Sequence, residues 1–372
     1  DTFPLRYAQE VENHRTDIRV ANLSLLQTDW YGDQMKRKVY LSDPLPISMD
    51  HIAYRSGTRD IIYIFDQIKE PINLIEYFDI INNNNDAFAL NDPVFGRLDY
   101  LPGKVFYVPV DKEKVLSLGI VPEKYKDSIV DSVFININRT AITKAQLFLL
   151  DILAHSDWER PIYFSTTSGQ ESYMGLEKYF FQEGITYHLL PVKANSIDMY
   201  AGVVNTEVMY DNFMKFKWGN IKDPKVYLDE TNLRMAKTLR SIVSGRLATY
   251  LINENKRDSA LKVLNIAMEE LPENKVPYDL YILPIIESYL NVGALDLAKP
   301  IMQRTADISI EYLKYIYSLP AKKHRLLDLD KQQYLFLLHS VLRYADQYKM
   351  KDIMDTYMNQ FEHYYHLYTT KG

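Results

Sequence analysis

The chain has 372 residues, 47% of them apolar and 25% charged, with a formal charge of −6. It is long enough for two domains and has a globular composition, and its acidity argues against nucleic acid as a partner. With no cysteine, a disulfide framework, thiolate catalysis and cysteine-ligated zinc are excluded.

Residues 2–14 form the first predicted helix, with Phe3, Tyr7, Ala8 and Val11 on one face, Asp1 as N-cap and Pro4 in the first turn. A chain that opens directly in a helical pattern reads as a piece of something longer. Residues 17–26 alternate and then become continuously apolar, which predicts a buried strand, and Thr28-Asp29-Trp30-Tyr31 opens a helix running to Tyr40. A short apolar run at 61–65, a helix at 72–81 and the polar breaker Asn82-Asn83-Asn84-Asn85-Asp86 follow. Residues 104–110 predict a strand, placed at a sheet edge by Pro109. An amphipathic helix at 143–155 leads into a strand at 161–164. Residues 172–182 then predict a helix stopped by Gly184, and 185–192 a last strand. Strands alternating with helices predict an α/β domain over residues 1–223, with a mainly parallel sheet covered by helices, ending at Asp223-Pro224.

Residues 224–372 carry helical patterns and no strand signal, which predicts an all-α helical-repeat domain of tetratricopeptide-like type. Leu247, Ala248 and Leu251, then Ala260, Leu264, Ala267 and Pro272, have the large and small spacing of such a helix pair. Tyr289, Gly293 and Ala298 repeat the Leu251, Asn255 and Ala260 positions, and Tyr344, Tyr348 and Ile353 give a fainter third copy. Stacked pairs of this kind offer a concave face suited to a peptide or acceptor protein. The chain holds 30 tyrosines, a residue that buries a ring while keeping a hydroxyl for a polar partner, as half-buried helix contacts require.

No motif carries catalysis. The eight histidines show no H-E-x-x-H spacing, and the chain has no G-x-S-x-G, Walker A or G-x-G-x-x-G loop, so no metal and no cofactor is expected. The best candidate site is geometric, because in parallel α/β sheets ligands sit beyond the carboxyl ends of the strands. One such end carries Asn22, Ser24, Asp29 and Trp30; another carries Ser165, Thr166 and Thr167; Asp1 and Thr2 could join them. Hydroxyls with an aromatic plate suit a glycan or a sugar phosphate. The alternative is that these residues simply cap helices and turns.

Several strings resemble a large family. They are Asp1-Thr2-Phe3-Pro4-Leu5, Tyr7 to Glu12, Arg15 to Leu26, Thr28-Asp29-Trp30-Tyr31, Gln34 to Arg37, Trp158 to Phe164 and Gly175 to Tyr179. They resemble bacterial multi-spanning membrane proteins filed as a domain of unknown function and related to the animal transmembrane protein O-mannosyltransferases. The match is specific over residues 1–40 and 155–220 and loose over the helical repeats. The resemblance implies a membrane-embedded N-terminal glycosyltransferase of the C type, using a lipid-linked sugar, to which this chain is the extracytoplasmic tail. In the family a Gly-Asp-Asn precedes the Asp-Thr-Phe-Pro string, so the first strand of the α/β domain is expected to lie before this chain. The family's catalytic acids are expected in membrane-side loops absent here, so no catalytic residue is carried over.

The expected function is therefore an accessory region that binds or orients a substrate or acceptor protein, partnered by its own membrane-embedded N-terminal region. The expected place is the periplasm, tethered to the inner membrane. Two rivals stand beside it: a glycan or sugar-phosphate enzyme working at the strand ends, and a scaffold for an envelope complex.

Overall fold

Thr143 and Gln146 start the central helix of the first unit with a capping box, in which each side chain satisfies the other's backbone N–H. The helix runs Lys144–His155, and every position from Lys144 to Ala154 is buried. The expected amphipathic stripe is therefore absent, because neighbours cover the helix on all sides. The computed structural model describes residues 2–83, 85–94 and 96–371, without the side chains of Ala321 and Lys371. Asp1 and Asn84 lie outside the described residues.

The chain divides into two compact units. One is Asp1–Gln182 with Thr186–Val203; the other is Glu183–Ile185 with Val204–Gly372. The first is an α/β region. Its strands are β1 (Ile61–Ile64), β2 (Ile72–Asn73), β3 (Ala89–Asp92), β4 (Gly96–Leu101), β5 (Val105–Pro109), β6 (Ser132–Asn136), β7 (Ala141–Thr143), β8 (Ile162–Ser165), β9 (Phe180–Gln182) and β10 (Thr186–Leu189). A final short strand, β11, is Val203–Val204, and among the described residues no strand follows it.

The strands form mixed sheets. One has the order β3-β4-β1-β7, with β1 parallel to β4 but antiparallel to β7. Another is β2-β5-β6, parallel on the β2 side and antiparallel on the β6 side. β10 pairs antiparallel with both β8 and β9. The mainly parallel sheet expected from the alternation of elements is thus corrected: tight antiparallel connections such as β3 to β4 and β9 to β10 compete with helical crossovers. β5 is not an edge strand either. Pro109 is tolerated because β2 pairs only as far as Tyr107, leaving Pro109 opposite Ser132 of β6 alone.

Two further expectations fail for local reasons. Residues 17–24 make no strand, because side chains take the place of a ladder. Gln9 donates to the Arg15 and Ile18 carbonyls, and the Tyr31 hydroxyl accepts from the Asn22 N–H and donates to the Val20 carbonyl. Residues 172–182 are not a helix, since Met174 at φ 48° and Gly175 at φ 80° interrupt it. Two short 3-10 turns and β9 stand there instead.

The second unit is helical. Its main helices make three helix–turn–helix pairs: Arg246–Asn253 with Arg257–Glu270, Leu283–Val292 with Leu295–Ser318, and Asp328–Gln347 with Lys351–Lys371. The same turn joins each pair. Asn255, Gly293 and Lys349 take φ of 60°, 86° and 57°, and the next N–H returns to Leu251 O, Tyr289 O and Ala345 O. The third copy therefore registers one residue later than Tyr344 and Tyr348. Tyrosine hydroxyls lace successive pairs together. Tyr289 donates to Asn265 and Tyr348 to Asn291, both at 2.9 Å, and Tyr357 donates to Asp307 at 2.8 Å.

Candidate functional site

Asn22 organises the first group of candidate residues. Its Oδ1 accepts from the Ser24 and Leu25 N–H groups, an Asx turn that opens the short 3-10 helix Leu25–Gln27. Its Nδ2 donates to Thr2 Oγ1 at 2.9 Å. Thr2, Asn22 and Ser24 are thus brought together by capping. Asp1 lies outside the described residues.

The helix Asp29–Met35 carries the second group. Asp29 Oδ1 accepts from the Trp30 N–H at 2.8 Å, and Oδ2 from the Ser56 N–H at 3.2 Å. One turn later, Asp33 Oδ1 accepts from the Tyr54 hydroxyl at 2.7 Å and contacts His51 Nδ1 at 3.0 Å. Trp30 is 54% exposed and meets Tyr31 edge-on at 5.5 Å. The surface is therefore an exposed indole beside two carboxylates spaced one helical turn apart.

Both carboxylates are held ionised. Hydrogen bonds from the Ser56 and then the Trp30 N–H hold the Asp29 carboxyl below the usual range. Partial burial pushes Asp33 upward, but the hydrogen bonds from Tyr54 and His51 outweigh it and leave its value lowered. Ionised groups of this kind accept hydrogen bonds and are poorly suited to act as general acids.

The third group is a turn. Ser165 Oγ lies 2.7 Å from Thr167 Oγ1, the Thr167 N–H donates to Ser165 Oγ, and the Ser168 N–H returns to Ser165 O. Thr166 sits between them in the same turn. The Tyr173 hydroxyl donates to the Ser168 carbonyl at 3.0 Å. These hydroxyls serve one another first.

Parallel strands do not deliver these groups to one edge, because 17–24 is not a strand and β8 pairs antiparallel. What they share is the first turn of Lys144–His155. On one side Ser56 binds Asp29, and the adjoining Gly57 N–H binds Asp60, whose carboxylate pairs with buried Lys144 at 2.5 Å. On the other, Gln146 donates to Glu171 O at 2.9 Å, just past the Ser165 turn.

Sequence reasoning missed a polar network built around one buried carboxylate. Asp151 is fully buried, and it accepts from Ser48 Oγ at 2.7 Å, from the Ser48 and Met49 N–H groups, and from His155 Nδ1 at 2.8 Å. Asn82 Nδ2 donates to Ser48 Oγ at 2.8 Å. The signal was present as one carboxylate within the apolar run of residues 147–154. Serine, histidine and aspartate meet here without forming a relay. Ser48 and His155 both bond to the same carboxylate oxygen, so the imidazole does not stand between hydroxyl and carboxylate. The network fastens residues 48–49 to the central helix.

Among the described residues no group of three or more His, Asp or Glu could hold a metal ion, and no helix is long and apolar enough to cross a membrane. A family model described as TMEM260-associated domain 2 matches residues 1–208, which include every described candidate residue. No curated protein and no solved structure matches the chain.

Proposed function

The chain belongs to the TMEM260-associated domain 2 family, and from that premise we propose that it is the extracytoplasmic accessory region of a membrane glycosyltransferase of the protein O-mannosyltransferase-like kind. In this reading it binds or orients a glycan-bearing substrate or an acceptor, in partnership with a membrane-embedded region of the same protein, and does not transfer sugar by itself.

The observation that carries the reading is the exposed Trp30 ring beside ionised Asp29 and Asp33. An indole face packs on the C–H face of a sugar, and carboxylates accept from its hydroxyls, each contact contributing on the order of 1 kcal/mol. Such a site binds weakly and holds a ligand in register. The rival reading, an enzyme at this surface, lacks support from a carboxyl held protonated, since both are lowered.

The second unit suits an acceptor protein. Its three pairs are read as tetratricopeptide-like because the same left-handed turn recurs at Asn255, Gly293 and Lys349. The test is sugar transfer from a lipid-linked donor by the full-length protein in membranes, comparing the parent with Trp30→Ala and with a chain lacking this region. Reduced transfer in both, with no turnover by the isolated region, is the expected result. Turnover by the isolated region alone would overturn the reading.

A further inference from the structure

A cleft in the first unit is lined by two arginines, Arg6 and Arg19, that form no ion pair among the described residues. It is narrow, with about 20 Å³ open to the centre of a water-sized sphere, and its lining includes Arg6, Gln9, Glu10, Thr16, Arg19 and Ser42. Thr16 and Ser42 are buried, at 8% and 2% exposure, so the cleft has a fixed polar floor. Arg160 joins it from behind, donating to Ser42 Oγ at 3.2 Å and to the carbonyls of Asp43 and Pro44.

The guanidinium donors are only partly used. Arg6 donates to the Tyr31 hydroxyl at 3.3 Å and Arg19 to the Arg37 carbonyl, while Arg19 Nε is buried with no hydrogen-bond partner. Of the carboxylates nearby, Asp43 pairs with Lys38 at 2.9 Å and Asp17 with Arg15 at 2.9 Å, while Glu10, itself part of the lining, accepts from the Tyr40 hydroxyl and is one negative charge beside the arginines. Among the described residues none of Arg6, Arg19 and Arg160 forms an ion pair.

Three permanent cations gathered around buried donors repel one another, and an unpaired buried N–H costs free energy. Burial, then the charges of Arg160 and Arg6, hold Arg19 below the ordinary arginine value. A tetrahedral oxyanion would remove both costs, since it offers several acceptor oxygens to guanidinium forks and hydroxyls at once. We infer that this cleft binds a phosphate group, carried either by a soluble phosphomonoester or by a lipid headgroup. The site is separate from the Trp30 surface and does not rest on the function proposed above.

The experiment titrates the chain with inorganic phosphate, at ionic strength held constant with sodium chloride, and reads thermal unfolding and the phosphorus resonance. The expected result is a saturable rise in Tm that Arg19→Gln weakens by about tenfold or more in apparent Kd. Arg139→Gln, an exposed arginine elsewhere, should leave the rise intact. Should Arg19→Gln lose its native circular dichroism, Arg6→Gln gives the same reading. Two further arms separate the sources: glycerol phosphate in solution, and phosphatidylcholine vesicles with and without phosphatidic acid. Binding of glycerol phosphate without vesicle association assigns a soluble ligand, and vesicle association reversed by inorganic phosphate assigns a lipid. A phosphate response no larger than that of chloride, or one that persists in Arg19→Gln, would overturn the inference.

Discussion

Ser48 and Asp151, 103 positions apart, meet at 2.7 Å with the serine hydroxyl donating to the buried carboxylate. Around that contact the Ser48 and Met49 N–H groups and the His155 ring also point at Asp151. Removing the carboxylate strands the three donors of Ser48 and Met49 and leaves His155 Nδ1 only the Asp151 carbonyl at 2.9 Å.

Asp151→Ala is therefore expected to destabilise the first unit by about 2 kcal/mol or more, because the buried Met49 N–H left unpaired costs about 1–3 kcal/mol and the part-buried Ser48 donors lose their acceptor as well. Ser48→Ala, which removes one hydroxyl and leaves both backbone donors paired, should cost about 1 kcal/mol. Urea unfolding of both variants checks the order. Equal losses would show that the network does not hold residues 48–49.

The same network gives a pH dependence. The Asp151 hydrogen bond raises the His155 pKa above its ordinary 6.5, against an opposing effect of burial. The stabilisation from His155 is complete below pH 6.5 and is lost as pH rises through the higher folded value. Stability measured across that window should fall more in the parent than in His155→Gln. An NMR titration placing the His155 pKa below 6.5 would remove the basis for this expectation.

The repeated turn in the second unit predicts opposite effects at equivalent positions. Gly293 has φ 86° with open space where a Cβ would stand, so Gly293→Ala should destabilise by about 1 kcal/mol through backbone strain alone. Lys349 takes φ 57° with a side chain, and Lys349→Gly should stabilise by up to about 1 kcal/mol. Thermal unfolding of the two variants should move Tm in opposite directions.

Trp30 separates folding from binding. With its ring 54% exposed, Trp30→Ala should change stability by no more than about 1 kcal/mol. Calorimetric titration with mannose-containing oligosaccharides should show weak binding to the parent and none to the variant. Asp29→Asn should fall between them, keeping the ring and losing one ionised acceptor.

Local chemistry was legible in the sequence wherever the interactions that decide it lie within a few residues. The helical pattern of residues 143–155 announced the central helix, residues 161–164 announced β8, and Asn255 and Gly293 sat at turn positions that the structure occupies with left-handed backbone. Capping and turn preferences act over one to four residues, so a linear reading reaches them. Tertiary structure decided the rest. Residues 17–24 had the pattern of a strand but found side-chain partners at Gln9 and Tyr31 instead of a neighbouring strand. The direction of the sheets depended on which segments met, and β5 became central because two other strands flanked it. The meeting of Ser48 with the buried Asp151 carboxylate, and the approach of Arg19 to Arg160, join segments more than a hundred residues apart. Hydrophobic periodicity fixes which side of an element is buried. It cannot specify the distant partner that buries it, because burial is non-directional and pairing is settled by the whole packed chain.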